Sequence, residues 1–232
     1  MSIKKISSFL IDRVVNKIVE SYLIKNNQNI KQEFSNRSLK STVDYIEKNM
    51  INIASVDSKW QLHDIALKNV NINGLYLEFG VYKGETINYI SKKINSKIYG
   101  FDSFEGLPEF WRDGFPKNYF KVENLPQVNS NVKLIKGLFD QTIPLFASEH
   151  LNDKIAYLHI DCDLYSSTKS IFKYIGHKII SGTVIVFDEY FNYPYWQENE
   201  FKAFQEFIFE NNLKYEYLTY NSLHEQVAIK IL

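Results

Sequence analysis

The spacing of apolar positions changes character near residue 74. Over residues 3–25, Ile6, Phe9, Leu10, Val14, Ile18 and Tyr22 recur at helical spacing with basic and acidic side chains between them. The polar run Asn26-Asn-Gln-Asn29 stops that helix, and shorter helical patterns cover 42–50 and 56–70, the second with Asp57 or Ser58 as its cap. From Gly74 onward, short apolar runs near 75–79, 97–101, 132–136, 155–161, 183–187, 214–219 and 226–231 read as strands. Helical segments near 84–94, 140–149, 166–179 and 198–211 separate most of them. Strand alternating with helix predicts an α/β fold with a doubly wound, mostly parallel, Rossmann-like sheet of seven strands. Only residues 219–225 join the last two strands, so these form an antiparallel hairpin at one edge. The expected organisation is a helical preface, 1–70, serving as dimer contact or substrate-side lid, followed by one α/β domain, 71–232.

Composition narrows the class. The 232 residues suffice for one full hydrophobic core, and 27 basic side chains balance 27 acidic ones. Such a balance gives no general attraction for nucleic acid or an anionic membrane. The single cysteine, Cys162, excludes an internal disulfide framework and suits a reducing cytosol. No apolar run reaches the ~18 residues that span a bilayer, and the N-terminus lacks the features of a signal peptide. Helix 3–25 carries Lys4, Lys5, Arg13 and Lys17 along its apolar stripe. It could lie on a membrane surface; the favoured reading is packing on its own domain or on the twin subunit of a homodimer.

Candidate chemistry begins at Gly74-Leu-Tyr-Leu-Glu-Phe-Gly-Val-Tyr-Lys-Gly-Glu-Thr86. An apolar strand enters a glycine-bearing turn and opens a helix, which lets backbone N–H groups approach an anionic group closely. A second strand ends at Asp102, 24 residues after Glu78, where nucleotide-binding βαβ units place the acid that holds ribose hydroxyls. The Gly-x-Gly-x-x-Gly fingerprint and the phosphate-cradling Gly-Lys-Ser/Thr loop are both missing. An acid, then Gly80 and Gly84, suits instead a cofactor with an ammonium and a carboxylate. S-adenosylmethionine has both, plus a ribose for Asp102. The candidate cofactor positions here are Glu78, Gly80, Tyr82, Lys83, Gly84 and Thr86, and an edge hairpin is usual in methyltransferase sheets.

Two further strands end in paired acids. Ile155–Asp163 finishes with Asp161 and Asp163, and 183–190 with Asp188 and Glu189. The C-terminal ends of parallel strands converge on one crevice, where four carboxylates repel one another unless something positive sits among them. Such oxygen-rich groups suit a hard cation such as Mg²⁺. Asp161 and Asp188, with Glu189 beside them, are the candidate ligands. Asp163 reads as a cap for the next helix, and His159 as a hydrogen-bonded core residue. The aromatic run Phe191-Asn-Tyr-Pro-Tyr-Trp196 should overhang the crevice and stack on an acceptor, or else only pack a loop. Its Asn192-Tyr-Pro-Tyr195 departs from the Asn/Asp-Pro-Pro-Tyr/Phe pattern of DNA base methylation, and no basic groove interleaved with aromatics is visible.

Four blocks in order carry a resemblance: Glu78-Phe-Gly-Val-Tyr-Lys-Gly84, Tyr99-Gly-Phe-Asp-Ser-Phe-Glu-Gly-Leu-Pro108, His159-Ile-Asp-Cys-Asp-Leu-Tyr-Ser-Ser-Thr168 and Phe187-Asp-Glu-Tyr190. Together they resemble the macrocin O-methyltransferase family, from about residue 74 to the C-terminus. The resemblance implies an S-adenosylmethionine- and Mg²⁺-dependent enzyme that methylates a sugar hydroxyl. It places Glu78, Gly80 and Gly84 at the methionine moiety and Asp102 at the ribose. Ser103, Phe104, Gly137 and Phe139 would border the adenine. Asp161, Asp188 and Glu189 become metal ligands, with Asp161 also the base and a cofactor contact. One departure is Asp188-Glu189, where the family carries Asp-Asp. A catechol-type enzyme and a non-catalytic cofactor-binding protein are the rival readings.

Overall fold

The structure is a computed structural model that describes residues 3–27 and 29–232, the side chains of 3–10 and 24–27 excepted. Its helical preface consists of α1 (Ile3–Asn27), α2 (Ile30–Asn49) and α3 (Lys59–Lys68), with a two-residue strand β1 (Ser55–Val56) before α3. The body alternates β2 (Leu75–Phe79), α4 (Glu85–Ser91), β3 (Ile98–Asp102), β4 (Val132–Lys136), α5 (Phe139–Glu149), β5 (Ile155–Ile160), α6 (Tyr165–Ile175), β6 (Val184–Phe187), α7 (Glu200–Glu210), β7 (Tyr215–Asn221) and β8 (Val227–Ile231). One sheet runs in the order β1-β7-β8-β6-β5-β2-β3-β4, and only β8 is antiparallel to its neighbours. This is the doubly wound, Rossmann-like sheet that the period change predicts, with the C-terminal hairpin at one side. The eighth strand, β1, is too short to leave a sequence signal and pairs outside β7.

Every residue of the central strands β5 and β6 is buried, as continuous apolar runs covered on both faces require. Alternation divides the core. Leu77, Phe79, Leu158, Ile160, Ile185 and Phe187 face α5, α6 and α7, whose Ile143, Ile171 and Phe204 meet them. Tyr157, Val184, Val186 and Ala228 point the other way, toward Leu62 and Ala66 of α3 and Ile87 and Ile90 of α4. Both α3 and β1 thus join the sheet although they precede residue 71.

The preface differs from its predicted outline. Ser58, not Asp57, caps α3, accepting the Trp60 N–H at 3.2 Å. Helix α2 starts twelve residues before the predicted 42–50 segment, because Asn29 caps it by accepting the Gln32 N–H, while its first turns are too polar to show a stripe. Its last turns hold the aromatic run: Thr42 Oγ1 accepts the Asn192 N–H at 2.9 Å, and Trp196 Nε1 donates to Ser41 Oγ at 3.0 Å. Phe191, Tyr193 and Trp196 are consequently buried, so the run packs a loop and does not overhang the crevice. The described side chains of α1, 11–23, are all exposed, Ile18 by 62%, so they do not pack on their own domain. Among the described residues no helix is long and apolar enough to cross a membrane.

Candidate active site

The turn after β2 is built around one glycine. Gly80 has φ +94°, and a Cβ there would lie 1.6 Å from the Asp161 carbonyl oxygen, so no other residue fits without moving β5. Its N–H donates to the Phe101 carbonyl (2.9 Å), which brings the turn beside the end of β3. There Asp102 gathers the loop: Oδ2 accepts the N–H groups of Val81 and Tyr82, both at 2.8 Å, and Oδ1 accepts that of Phe104 at 2.7 Å. Two of the turn amides expected to receive a ligand carboxylate are therefore held by the protein's own acid.

A cavity of about 450 Å³ opens along the C-terminal ends of β2, β3, β4, β5 and β6, within the range of cofactor sites. Gly80, Tyr82, Asp102, Ser103, Gly137 and Phe139 line it, as do Asp161, Asp188 and Glu189. Five candidates lie outside its lining. Glu78 is fully buried against His159, Lys83 extends over the Tyr82 ring, and Gly84 opens α4 at φ +79°. Thr86 is buried in the first turn of α4, and Phe104 packs into the core on the α3/α4 face. In their place α6 presents Ser166, Ser167 and Ser170. The run Tyr165-Ser-Ser-Thr168 carries that signal in the sequence, where it reads only as a helix start.

The acids meet because the strand ladders continue past their ends. Asp161 N–H donates to the Phe79 carbonyl (2.8 Å) and Asp188 N–H to that of Ile160 (2.9 Å). Donor atoms of His159, Asp161 and Asp188 all lie within 4.8 Å of one another. Glu189 lines the cavity outside that group, and its buried Oε2 has no partner, nor does Asp188 Oδ1. Burial, and next the negative Asp188, push the carboxyls of Asp161 and Glu189 well above their ordinary range. Burial acts to raise Asp188, but His159, Lys59 and Gln226 together hold its carboxyl below the ordinary range. Burial opposes charge on His159 as well, yet Asp188 and Glu78 raise the ring to about 10.

Asp163 does not cap α6, which has no side-chain cap. It sits at φ +66° on the cavity wall, and burial, opposed by Arg112, raises it to about 7. Its loop is secured by a residue the sequence did not flag: Glu200 of α7 accepts the N–H groups of Cys162 (3.2 Å) and Asp163 (3.1 Å) on Oε1. Two orphaned carboxylate oxygens, on Asp188 and Glu189, in a cavity lined without Lys, Arg or His among the described residues, fit a hard divalent cation.

The segment 103–131 forms no helix or strand and borders the cavity with Gly106, Leu107, Pro108, Glu109 and Phe120. Arg112 fastens it to the hairpin turn, donating to both oxygens of Glu225 at 3.0 and 3.1 Å, with its guanidinium 3.8 Å from the Trp111 ring. Ser166 donates to Glu109 at 2.6 Å, a second tie between this segment and α6. Long irregular segments in a compact domain commonly cover sites.

Residues 77–190 match the family model of a methyltransferase domain. Among solved structures, the calicheamicin methyltransferase CalS11 is similar at 21% identity, over 74% of this chain and 78% of its own, with a TM-score of 0.61. Another structure of CalS11, described as a TDP-rhamnose 3′-O-methyltransferase, gives 0.55 over the same shares and at the same identity. The O-methyltransferase NovP gives 0.54 at 19% identity, over 74% of this chain and 76% of its own. At these identities the likeness is one of fold. No curated protein is a match for the sequence.

Proposed function

We propose that this chain, a methyltransferase by its domain and fold, moves the methyl group of S-adenosylmethionine to a sugar hydroxyl with the help of a divalent cation. The observation that carries the reading is one cavity lined together by the Gly80 turn, Asp102, Asp161, Asp188 and Glu189. CalS11, described as a TDP-rhamnose 3′-O-methyltransferase, supports the class of acceptor, and NovP supports O-methylation. The macrocin-type enzymes are the family this reading favours.

On this reading Gly80, Tyr82, Asp102 and Ser103 hold the methionine and ribose, while Gly137 and Phe139 border the adenine. Asp161, Asp188 and Glu189 would hold the cation, which would supply Lewis-acid assistance to deprotonation of the acceptor. Asp161 is the group this reading assigns to take the hydroxyl proton. The walls orient the acceptor oxygen in line with the methyl group. Seven carboxylates line the cavity (Asp102, Glu109, Asp140, Asp161, Asp163, Asp188 and Glu189) with no Lys, Arg or His among the described lining residues. That balance favours an uncharged sugar over one carried on a diphosphate.

The exposed apolar positions of α1, among them Ile11, Val14 and Ile18, fit a twin subunit, so the preface serves dimerisation; light-scattering mass in solution checks this. A buried lone cysteine and near-zero charge suit a cytoplasmic enzyme. The function is tested by calorimetric titration with S-adenosylmethionine and S-adenosylhomocysteine, with and without Mg²⁺, then an acceptor screen of glycosides, nucleotide sugars and catechols. Micromolar binding with turnover on a glycoside is expected. A folded sample that binds neither nucleoside refutes the methyltransferase reading, and turnover on catechols alone refutes the sugar.

A further inference from the structure

A buried polar row crosses five neighbouring strands on the face covered by α3 and α4. At the hairpin, Asn221 Nδ2 donates to Gln226 Oε1 (2.8 Å), and Gln226 Nε2 donates to Asp188 Oδ2 (3.2 Å). The other oxygen, Asp188 Oδ1, has no hydrogen bond and lies 3.9 Å from His159 Nε2. His159 Nδ1 in turn meets Glu78 Oε2 at 3.2 Å across the β2–β5 register pair. Glu78 is 1% exposed and His159 fully buried, and the His63 ring of α3 stands edge-on to His159 at 4.7 Å.

Glu78 is the acid that the sequence pattern offers to the cofactor's ammonium group, directly or through water, and the geometry gives it other work. It does not line the cavity. Gly80, which does, lies two residues further along the same face, about 6–7 Å higher at the usual rise of a strand. One carboxylate oxygen of Glu78 is already engaged by His159. Burying an acid–imidazole pair in a sheet gains little stability over apolar residues of the same volume. The pair's other end, however, stops at the one site where a freely rotating carboxylate would matter. Asp188 is gripped from the hairpin side by Gln226 and faced from the β5 side by His159, which leaves Oδ1 without a partner in the group that His159, Asp161 and Asp188 form.

We propose that Glu78 and His159 are positioning residues of the cation centre, fixing Asp188 for ligation, and that Glu78 does not serve the cofactor. The inference rests on the reading of Asp161 and Asp188 as cation ligands. Partners that orient a ligand in this way typically account for about 10–100-fold in metal affinity.

The test is Glu78→Gln in the full chain, with His159→Gln and the double variant beside it. S-adenosylhomocysteine binding is measured by calorimetry without metal, and Mn²⁺ binding by electron paramagnetic resonance. In Glu78→Gln the nucleoside dissociation constant should stay within about twofold while that of Mn²⁺ rises about 10–100-fold. The double variant should lose no more than the worse single one, because the two residues act as one unit. Glu78→Gln alone decides the matter if the histidine variants do not fold. Nucleoside affinity lost tenfold or more with Mn²⁺ binding intact would overturn the proposal and return Glu78 to the cofactor. Equal loss of both, with a lowered melting temperature, would also overturn it, in favour of a purely structural pair. Wild-type protein that binds the nucleoside but no Mn²⁺ removes the cation reading and this inference with it. Wild-type protein that binds neither fails the methyltransferase reading itself.

Discussion

Asp102→Asn keeps the shape of a side chain on which the whole glycine turn depends. A carboxylate offers about four lone-pair sites, and three are occupied by the N–H groups of Val81, Tyr82 and Phe104. One site remains for a ribose hydroxyl, so the main work of Asp102 is to hold the loop. In asparagine one oxygen becomes an amino group. If the carbonyl keeps Val81 and Tyr82, the amino group confronts the Phe104 N–H; flipped, it confronts two donors. At least one hydrogen bond to a charged group is lost, worth about 1.5–3 kcal/mol. The Tyr82 end is open to water and recovers part of this, so about 2 kcal/mol is the working figure. For a chain of this size that lowers the melting temperature by about 4–8 °C. If the loop orders only around the nucleoside, the same energy instead weakens S-adenosylhomocysteine by about 30-fold. Scanning calorimetry reads the first quantity and titration calorimetry the second, repeated with an analogue lacking the ribose 2′-hydroxyl. Loop anchoring predicts the same loss for both ligands. An unchanged melting temperature with affinity within twofold refutes the argument, and so does a loss confined to the hydroxylated ligand.

Asp161→Asn should lower kcat by about 100-fold or more while leaving S-adenosylhomocysteine affinity nearly unchanged, since it removes the proton acceptor and not the cofactor walls; a near-normal rate would take Asp161 out of that role. Alkaline stability tests the tyrosine cluster in which the hydroxyls of Tyr45, Tyr190 and Tyr215 surround that of Tyr217. Burial, and next Tyr215, push Tyr45 up to about 12. The unfolded chain therefore loses this proton first, and the contribution is whole below pH 10 and disappears as pH rises through 12. Two units correspond to roughly 2–3 kcal/mol. Thermal melts between pH 9 and 12 should fall less steeply in Tyr45→Phe, and equal slopes would sink the assignment.

What the chain discloses in one dimension is what period and local turns encode. Alternation places Asp161 on the face opposite Cys162, and parallel order then brings it to Asp188, because strand ends in such a sheet share an edge. Gly80 is legible as a turn glycine for the same local reason. Partners set by long-range register are not. Nothing around Glu78 announces that β2 will pair with β5 in the register that seats its carboxyl on His159. A glutamate in the first turn of a helix ordinarily reads as a solvated charge favouring the dipole, whereas the Glu200 carboxyl lies under the Cys162 and Asp163 amides of a loop 37 and 38 residues earlier. The aromatic run 191–196 is ambiguous for a related reason, since its rings suit an acceptor or a neighbouring helix equally well. The choice was made by Ser41, Thr42 and Tyr45 of α2, some 150 residues earlier. Residues that touch a ligand were thus easier to find than the residues that aim them. Here the aiming residues are buried acids whose partners lie on other strands and helices, so perturbing Glu78 and Glu200 carries more information about the centre than further substitutions along its rim.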